Sequence, residues 1–169
     1  MDKMHEDAGT KQKPSAAQEI YDWVESMVIS LTVLMFFFTF IIGTVVVNGE
    51  SMQPTLLNGE RLLIYPTYYS IGFQDVVVIN RDDDTPLVKR VIATEGQTVD
   101  IDFEEGIVSV DSEQLLDESY AAAPATVYHQ DLFLEFPVTV PEGHIFVMGD
   151  NRNNSLDSRY KQIGLIRED

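Results

Sequence analysis

The chain has 169 residues, with 28 acidic against 11 basic side chains, a formal net charge of −17 and no cysteine. That length allows one domain with a real core and not two ordinary ones. The charge excludes a nucleic-acid-binding role, and the missing thiols exclude disulfides and thiolate zinc sites.

Residues 1–15 are polar and read as disordered. A helical pattern follows, and from Met27 to Val47 no side chain is charged. At about 1.5 Å per residue such a run spans roughly 30 Å, the thickness of a bilayer's hydrocarbon core. Tyr21 and Trp23 precede it, where amphipathic rings favour headgroups. A cleavable signal peptide would have a shorter apolar core and a small-residue exit, whereas the exit here reads Val-Val-Val-Asn-Gly. A buried core helix this apolar rarely fits so small a domain. The organisation predicted is a tail over 1–23, a single transmembrane helix over 24–47 and a β-rich domain over 48–169. Lys3, Lys11 and Lys13 precede the span, and the next basic residue is Arg61. This places the tail in the cytoplasm and the domain on the extracytoplasmic face of the cell membrane, because acidic residues count little in that rule. The part after the span holds eight basic and 22 acidic residues, a net charge of −14. It is repelled by anionic headgroups, so its approach to the bilayer relies on apolar contact.

Beyond Gly49 the predicted strands are Arg61–Tyr65, Asp75–Asn80, Leu87–Thr94, Thr98–Phe103, Ile107–Val110, Leu132–Val138 and His144–Met148. Turn residues separate them, as in Leu57-Asn58-Gly59-Glu60 and Pro141-Glu142-Gly143. Short strands at this spacing predict a mainly β fold, a compact antiparallel barrel or folded sheet.

Three stretches could carry chemistry. Ser51 lies just past the apolar run, in Gly49-Glu50-Ser51-Met52-Gln53-Pro54-Thr55-Leu56. It reads either as a capping hydroxyl or as a nucleophile, and the second role needs a base beside it. Lys89 lies in the β-branched run Leu87-Val88-Lys89-Arg90-Val91-Ile92-Ala93. Its ammonium either snorkels to water or, if buried, sheds its proton more easily and becomes that base. Arg90, one residue on, should face the other way. Gly149-Asp150-Asn151-Arg152-Asn153-Asn154-Ser155-Leu156-Asp157-Ser158-Arg159 is either a polar loop or a site loop following an apolar strand.

These stretches, with Gly72-x-x-Asp75-Val76-Val77-Val78, resemble in order the motifs of type I signal peptidases of Gram-positive type. Those are membrane-anchored Ser-Lys endopeptidases that remove signal peptides from exported preproteins. The resemblance implies the family's β-rich catalytic domain, with Ser51 as nucleophile and Lys89 as general base. It implies that Ser155 hydrogen-bonds and orients the lysine, and that Asp157 and Arg159 pair to hold the loop, with Asp150 structural beside them. Met52 and Val88 are expected to line the pocket for the residue before the scissile bond, with small residues required at the first and third positions. The Ser51 N–H is the expected oxyanion donor, since the position two before it is Gly49 and carries no hydroxyl. Signal peptides and the lipid bilayer are the implied partners, with no metal, cofactor or nucleic acid. The chain stops at Arg167-Glu168-Asp169, short of the strand and apolar tail usual in the family, so its C-terminus is read as truncated.

His5, His129 and His144 show no metal-ligand spacing. Asp82-Asp83-Asp84 reads as a solvated turn, Tyr65-Pro66-Thr67-Tyr68-Tyr69 as edge packing and Tyr120-Ala121-Ala122-Ala123-Pro124 as a linker loop. Two other functions compete: a Ser-Lys peptidase acting on other membrane substrates, and a non-enzymatic anchored β-domain.

Overall fold

The computed structural model describes residues 15–41, 43–64, 70–80, 86–115, 119–129 and 133–168. The polar tail, the Tyr65–Tyr69 cluster and the Asp82–Asp84 turn lie outside the described residues. The chain divides into two compact units, residues 1–43 with 64–66, and residues 44–63 with 67–169.

The first unit contains one helix, α1 (Ala16–Ile41). Ser15 caps it reciprocally with Gln18. The Gln18 N–H donates to Ser15 Oγ at 3.3 Å, and the Ser15 N–H donates to Gln18 Oε1 at 3.2 Å. Within the apolar stretch, the hydroxyls of Ser30 and Thr32 donate to the carbonyls of Ser26 and Val28, so neither would be left unpaired in an apolar environment. Residues Ala16–Phe38 are long and apolar enough to cross a membrane, and none of that window is buried by protein. The helix begins where the helical pattern does, just after residue 15, and ends short of the predicted Val47 boundary. Gly43–Val46 form a strand, β1, because glycine followed by the β-branched Thr44, Val45 and Val46 favours an extended chain.

The second unit is built from antiparallel sheets. β1 pairs with β2 (Arg61–Ile64). A four-stranded sheet contains β3 (Val76–Ile79), β4 (Leu87–Ala93), β9 (His144–Met148) and β10 (Ile166–Arg167), in the order β10-β9-β4-β3. The other contains β5 (Thr98–Asp102), β6 (Ile107–Val110), β7 (Glu113–Gln114) and β8 (Val138–Thr139), in the order β7-β6-β5-β8.

Period-two alternation assigns β9 to two cores. Phe146 and Met148 join a cluster with Val99, Ile101, Val108 and Val110, while Ile145 and Val147 pack with Ile79 and Val91. A register shift between Val91 and Ala93 puts Ile92 and Ala93 in the same cluster despite their adjacency. Covered on both faces, β4 is a buried central strand, and it carries Lys89.

The predicted strand Leu132–Val138 is not formed. Phe133 makes an isolated bridge to Tyr160, Val138 begins β8, and Leu132 lies outside the described residues. Phe133 and Phe136 pack instead against Phe103, and Phe133 also meets Tyr128 and Tyr160. Aromatic clustering thus competes with strand pairing there.

Candidate active site

Ser51 lies in a tight turn closed by the Gln53 N–H on the Glu50 carbonyl and the Leu56 N–H on the Met52 carbonyl. Gly49, at φ +100°, enters this turn in a conformation that L side chains rarely adopt. Lys89 Nζ donates to Ser51 Oγ at 2.8 Å and to the Val88 carbonyl at 2.9 Å. Lys89 is 2% exposed, so of the two readings of this side chain the buried one holds. Burial lowers its pKa from 10.5, and the negative charges of Asp157 and Asp150 partly oppose that shift. The Ser51 N–H has no acceptor among the described residues.

The loop after β9 closes over this pair. The Asn151 N–H donates to the Ser51 carbonyl at 2.9 Å, and Asn151 Nδ2 donates to the Glu50 carbonyl at 3.2 Å. Gly149 makes that approach possible, since a Cβ there would collide with the Ser51 carbonyl and with Ser155 Oγ. Asp157 is fully buried and takes Arg159 Nε and Nη2 at 2.8 and 2.9 Å, and the Gly149 N–H at 3.0 Å. Arg159 Nη2 also donates to the Arg152 carbonyl at 2.6 Å, so the pair braces both halves of the loop.

Asp150, also fully buried, accepts Arg90 Nε and Nη2 at 2.8 and 2.7 Å in a bidentate pair. The guanidinium lies over the Tyr120 ring at 4.2 Å from its centroid, and Nη1 donates to the Gln74 carbonyl at 2.9 Å. The hydrogen bond to Asp150 raises the Arg90 pKa further.

Ser51 and Lys89 are thus in direct contact, and Asp150, Asp157 and Arg159 are buried in the loop beside them. The hydrogen bond expected from Ser155 to Lys89 is not formed. Ser155 Oγ is buried without a hydrogen-bond partner among the described residues, although the Gly149 geometry places it close to the Ser51 turn. Met52 and Val88 are buried. An open cavity of about 460 Å³, lined by Gly106–Val108 and Ala121–Pro124 among others, includes neither of them, nor Ser51 or Lys89. The predicted linker Tyr120–Pro124 is a pinned segment. The Ala122 N–H donates to the Asp150 carbonyl, and Asn153 Nδ2 donates to the Pro124 carbonyl. Tyr120 beneath Arg90 and Thr55 on Asp150 escape sequence reasoning, since no local pattern joins residues so far apart.

A family model described as signal peptidase, peptidase S26, matches residues 20–169. The signal peptidase I S of Bacillus subtilis strain 168 is 39% identical over 153 residues, covering 86% of this chain and 81% of that protein. The signal peptidase I of Bacillus licheniformis is 37% identical, covering 96% and 88%. The signal peptidase IB of Staphylococcus aureus strain COL is 32% identical, covering 90% and 85%. A crystal structure of a signal peptidase I from Enterococcus faecalis V583 is 26% identical, with a TM-score of 0.46, covering 60% of this chain and 93% of that one.

Proposed function

Since the chain belongs to the peptidase S26 family of signal peptidases, we propose that it removes signal peptides from exported preproteins with Ser51 as nucleophile and Lys89 as general base. The observation that carries the assignment is the 2.8 Å contact between Lys89 Nζ and Ser51 Oγ, residues 38 positions apart on a turn and a buried strand.

A lysine serves as base only when neutral, and the burial of Lys89 favours that form. The neutral amine has two N–H groups and one lone pair. One N–H stays on the Val88 carbonyl, the Ser51 hydroxyl turns to donate across the 2.8 Å contact, and the lone pair receives its proton as Oγ attacks the scissile carbonyl. The tetrahedral oxyanion needs donors already in place, and the unengaged Ser51 N–H is one. The amine then returns the proton to the leaving nitrogen. In deacylation Lys89 takes a proton from water as the water oxygen attacks the ester carbonyl, and returns it to Ser51 Oγ as the ester bond breaks. Asp150, Asp157 and Arg159 hold the loop over the pair, and Met52 and Val88 flank it where the residue before the scissile bond would sit. Small residues at the first and third positions before that bond are the specificity proposed.

The apolar helix suits a membrane anchor. We place its N-terminal tail in the cytoplasm and residues 48–169 outside, on the lysines that precede the span. The chain lacks cysteine, so single cysteines introduced at Lys3 and at Glu142 would report sidedness to an impermeant thiol reagent. Labelling of the first in intact cells would reverse the topology.

The activity test is cleavage of a fluorogenic signal-peptide substrate with alanine at both positions, in detergent. Wild type should cut it, while Ser51→Ala and Lys89→Ala should each lose about 10³-fold or more. Cleavage persisting in either folded variant would remove the assignment of the pair.

A further inference from the structure

We infer that Thr55 is a positioning residue for Ser51, acting through Asp150 and Arg90; this rests on the Ser51–Lys89 reading above. Thr55 stands four positions after Ser51, at the far end of the same turn. Its hydroxyl donates to Asp150 Oδ2 at 2.5 Å, across 95 positions of sequence. A threonine serving only the turn would place that hydroxyl on local backbone. This one reaches a carboxylate that is 0% exposed.

The carboxylate leads back to the base. Both its oxygens hold the Arg90 guanidinium, and Arg90 follows Lys89 on β4, clamped further by the Gln74 carbonyl and the Tyr120 ring. A polar strut thus runs from the nucleophile's turn through Thr55, Asp150 and Arg90 to the strand of the base, alongside the direct Ser51–Lys89 contact. The other end of the turn is tied separately, by Asn151 on Glu50 and Ser51. Two tethers, one on either side of Ser51, fix the turn against a buried strand. Proton transfer needs that precision, since displacement of reacting groups by about 1 Å costs on the order of 10²-fold in rate.

The strut also satisfies Asp150. A buried carboxylate engaged by one arginine fork retains lone pairs that need donors, and Thr55 supplies one of them. Thr55 itself is exposed on its other side, so replacing it does not open the core.

The test is steady-state cleavage by the full chain in detergent, comparing Thr55→Val, which keeps the shape without the hydroxyl, with Thr55→Ser, which keeps the hydroxyl. Thr55→Val should lower kcat about 10- to 100-fold with KM within about 2-fold, and Thr55→Ser should recover most of the rate. The acid limb of the pH profile should stay in place, because the charges beside Lys89 are unchanged. Thermal melts report folding, and Thr55→Ala is read the same way if the valine variant does not fold. A wild-type kcat without the hydroxyl, a loss confined to KM, or equal losses in the valine and serine variants would overturn the inference. Ser51→Ala and Lys89→Ala run in parallel. If they keep activity, the Ser51–Lys89 reading fails and Thr55 with it; if they lose it while Thr55→Val does not, Thr55 alone is refuted.

Discussion

The backbone N–H of Asn151 donates to the carbonyl of Ser51, joining the last motif loop to the turn that carries the nucleophile. The two segments approach this closely because Gly149 has no side chain, and a Cβ there would meet backbone on one side and Ser155 on the other. Backbone cannot move aside as a flexible side-chain tip can. Gly149→Ala should therefore cost about 1–3 kcal/mol in stability and about 10²-fold in kcat, read by denaturant unfolding and substrate cleavage. A variant with wild-type kcat would mean that the loop tolerates displacement from Ser51.

The acid side of the pH profile should belong to Lys89. Burial holds its pKa below 10.5, and only the neutral amine accepts the serine proton, so activity should rise with pH as the proton leaves. Between the lowered folded pKa and 10.5 the unfolded chain still holds a proton that the folded one has shed. Stability should therefore also rise with pH through that window. Asp157 is the larger of the two charges opposing the shift, so Asp157→Asn should move the acid limb to lower pH while reducing the maximal rate. Lys89→Arg should be inactive at every pH, since guanidinium does not deprotonate in proteins. A limb that stays in place in Asp157→Asn would disconnect it from Lys89.

Ser155 should separate stability from activity. Its hydroxyl is buried and without a hydrogen-bond partner among the described residues, a state that costs about 1–3 kcal/mol relative to a satisfied group. Ser155→Ala removes that liability and should leave the unfolding free energy equal or slightly higher. If the hydroxyl engages Lys89 during turnover, kcat should fall while stability does not. A loss of more than about 2 kcal/mol in unfolding would instead assign Ser155 a bond that holds the fold.

Much of the β scaffold was legible because alternation and turn residues are local signals. Ile107–Val110 and His144–Met148 form as expected, and four further strands do so with slightly different ends. Thr44-Val45-Val46 misled because a short apolar run has the same composition in a span and in a strand. Phe133–Phe136 misled because aromatic and β-branched residues suit strands, yet here the rings serve a cluster. At the site, Ser51 and Lys89 stood out through motif resemblance. Spacing alone favoured a capping serine and a snorkelling lysine, and only tertiary contact brings the two together. The Thr55–Asp150–Arg90 strut had no local signature, because each of its links crosses between separate segments.

Of the eight basic residues after position 47, Lys89, Arg90, Arg152 and Arg159 are buried at or beside the candidate site. Asp150 and Asp157 are buried with them, leaving four basic residues to offset 20 acidic ones elsewhere in that part of the chain. Such an excess repels itself in the compact state, and the repulsion weakens as the Debye length falls from about 30 Å at 0.01 M to about 3 Å at 1 M salt. The buried Asp157–Arg159 and Asp150–Arg90 pairs are screened far less, so salt should relieve the repulsion without loosening the loop. The melting temperature should rise by a few degrees, about 0.5–1 kcal/mol, between low salt and ~0.5 M sodium chloride. Chloride is the appropriate anion, because sulfate would also strengthen apolar burial. A melting temperature that falls over this range would mean that exposed ion pairs outweigh the carboxylate excess.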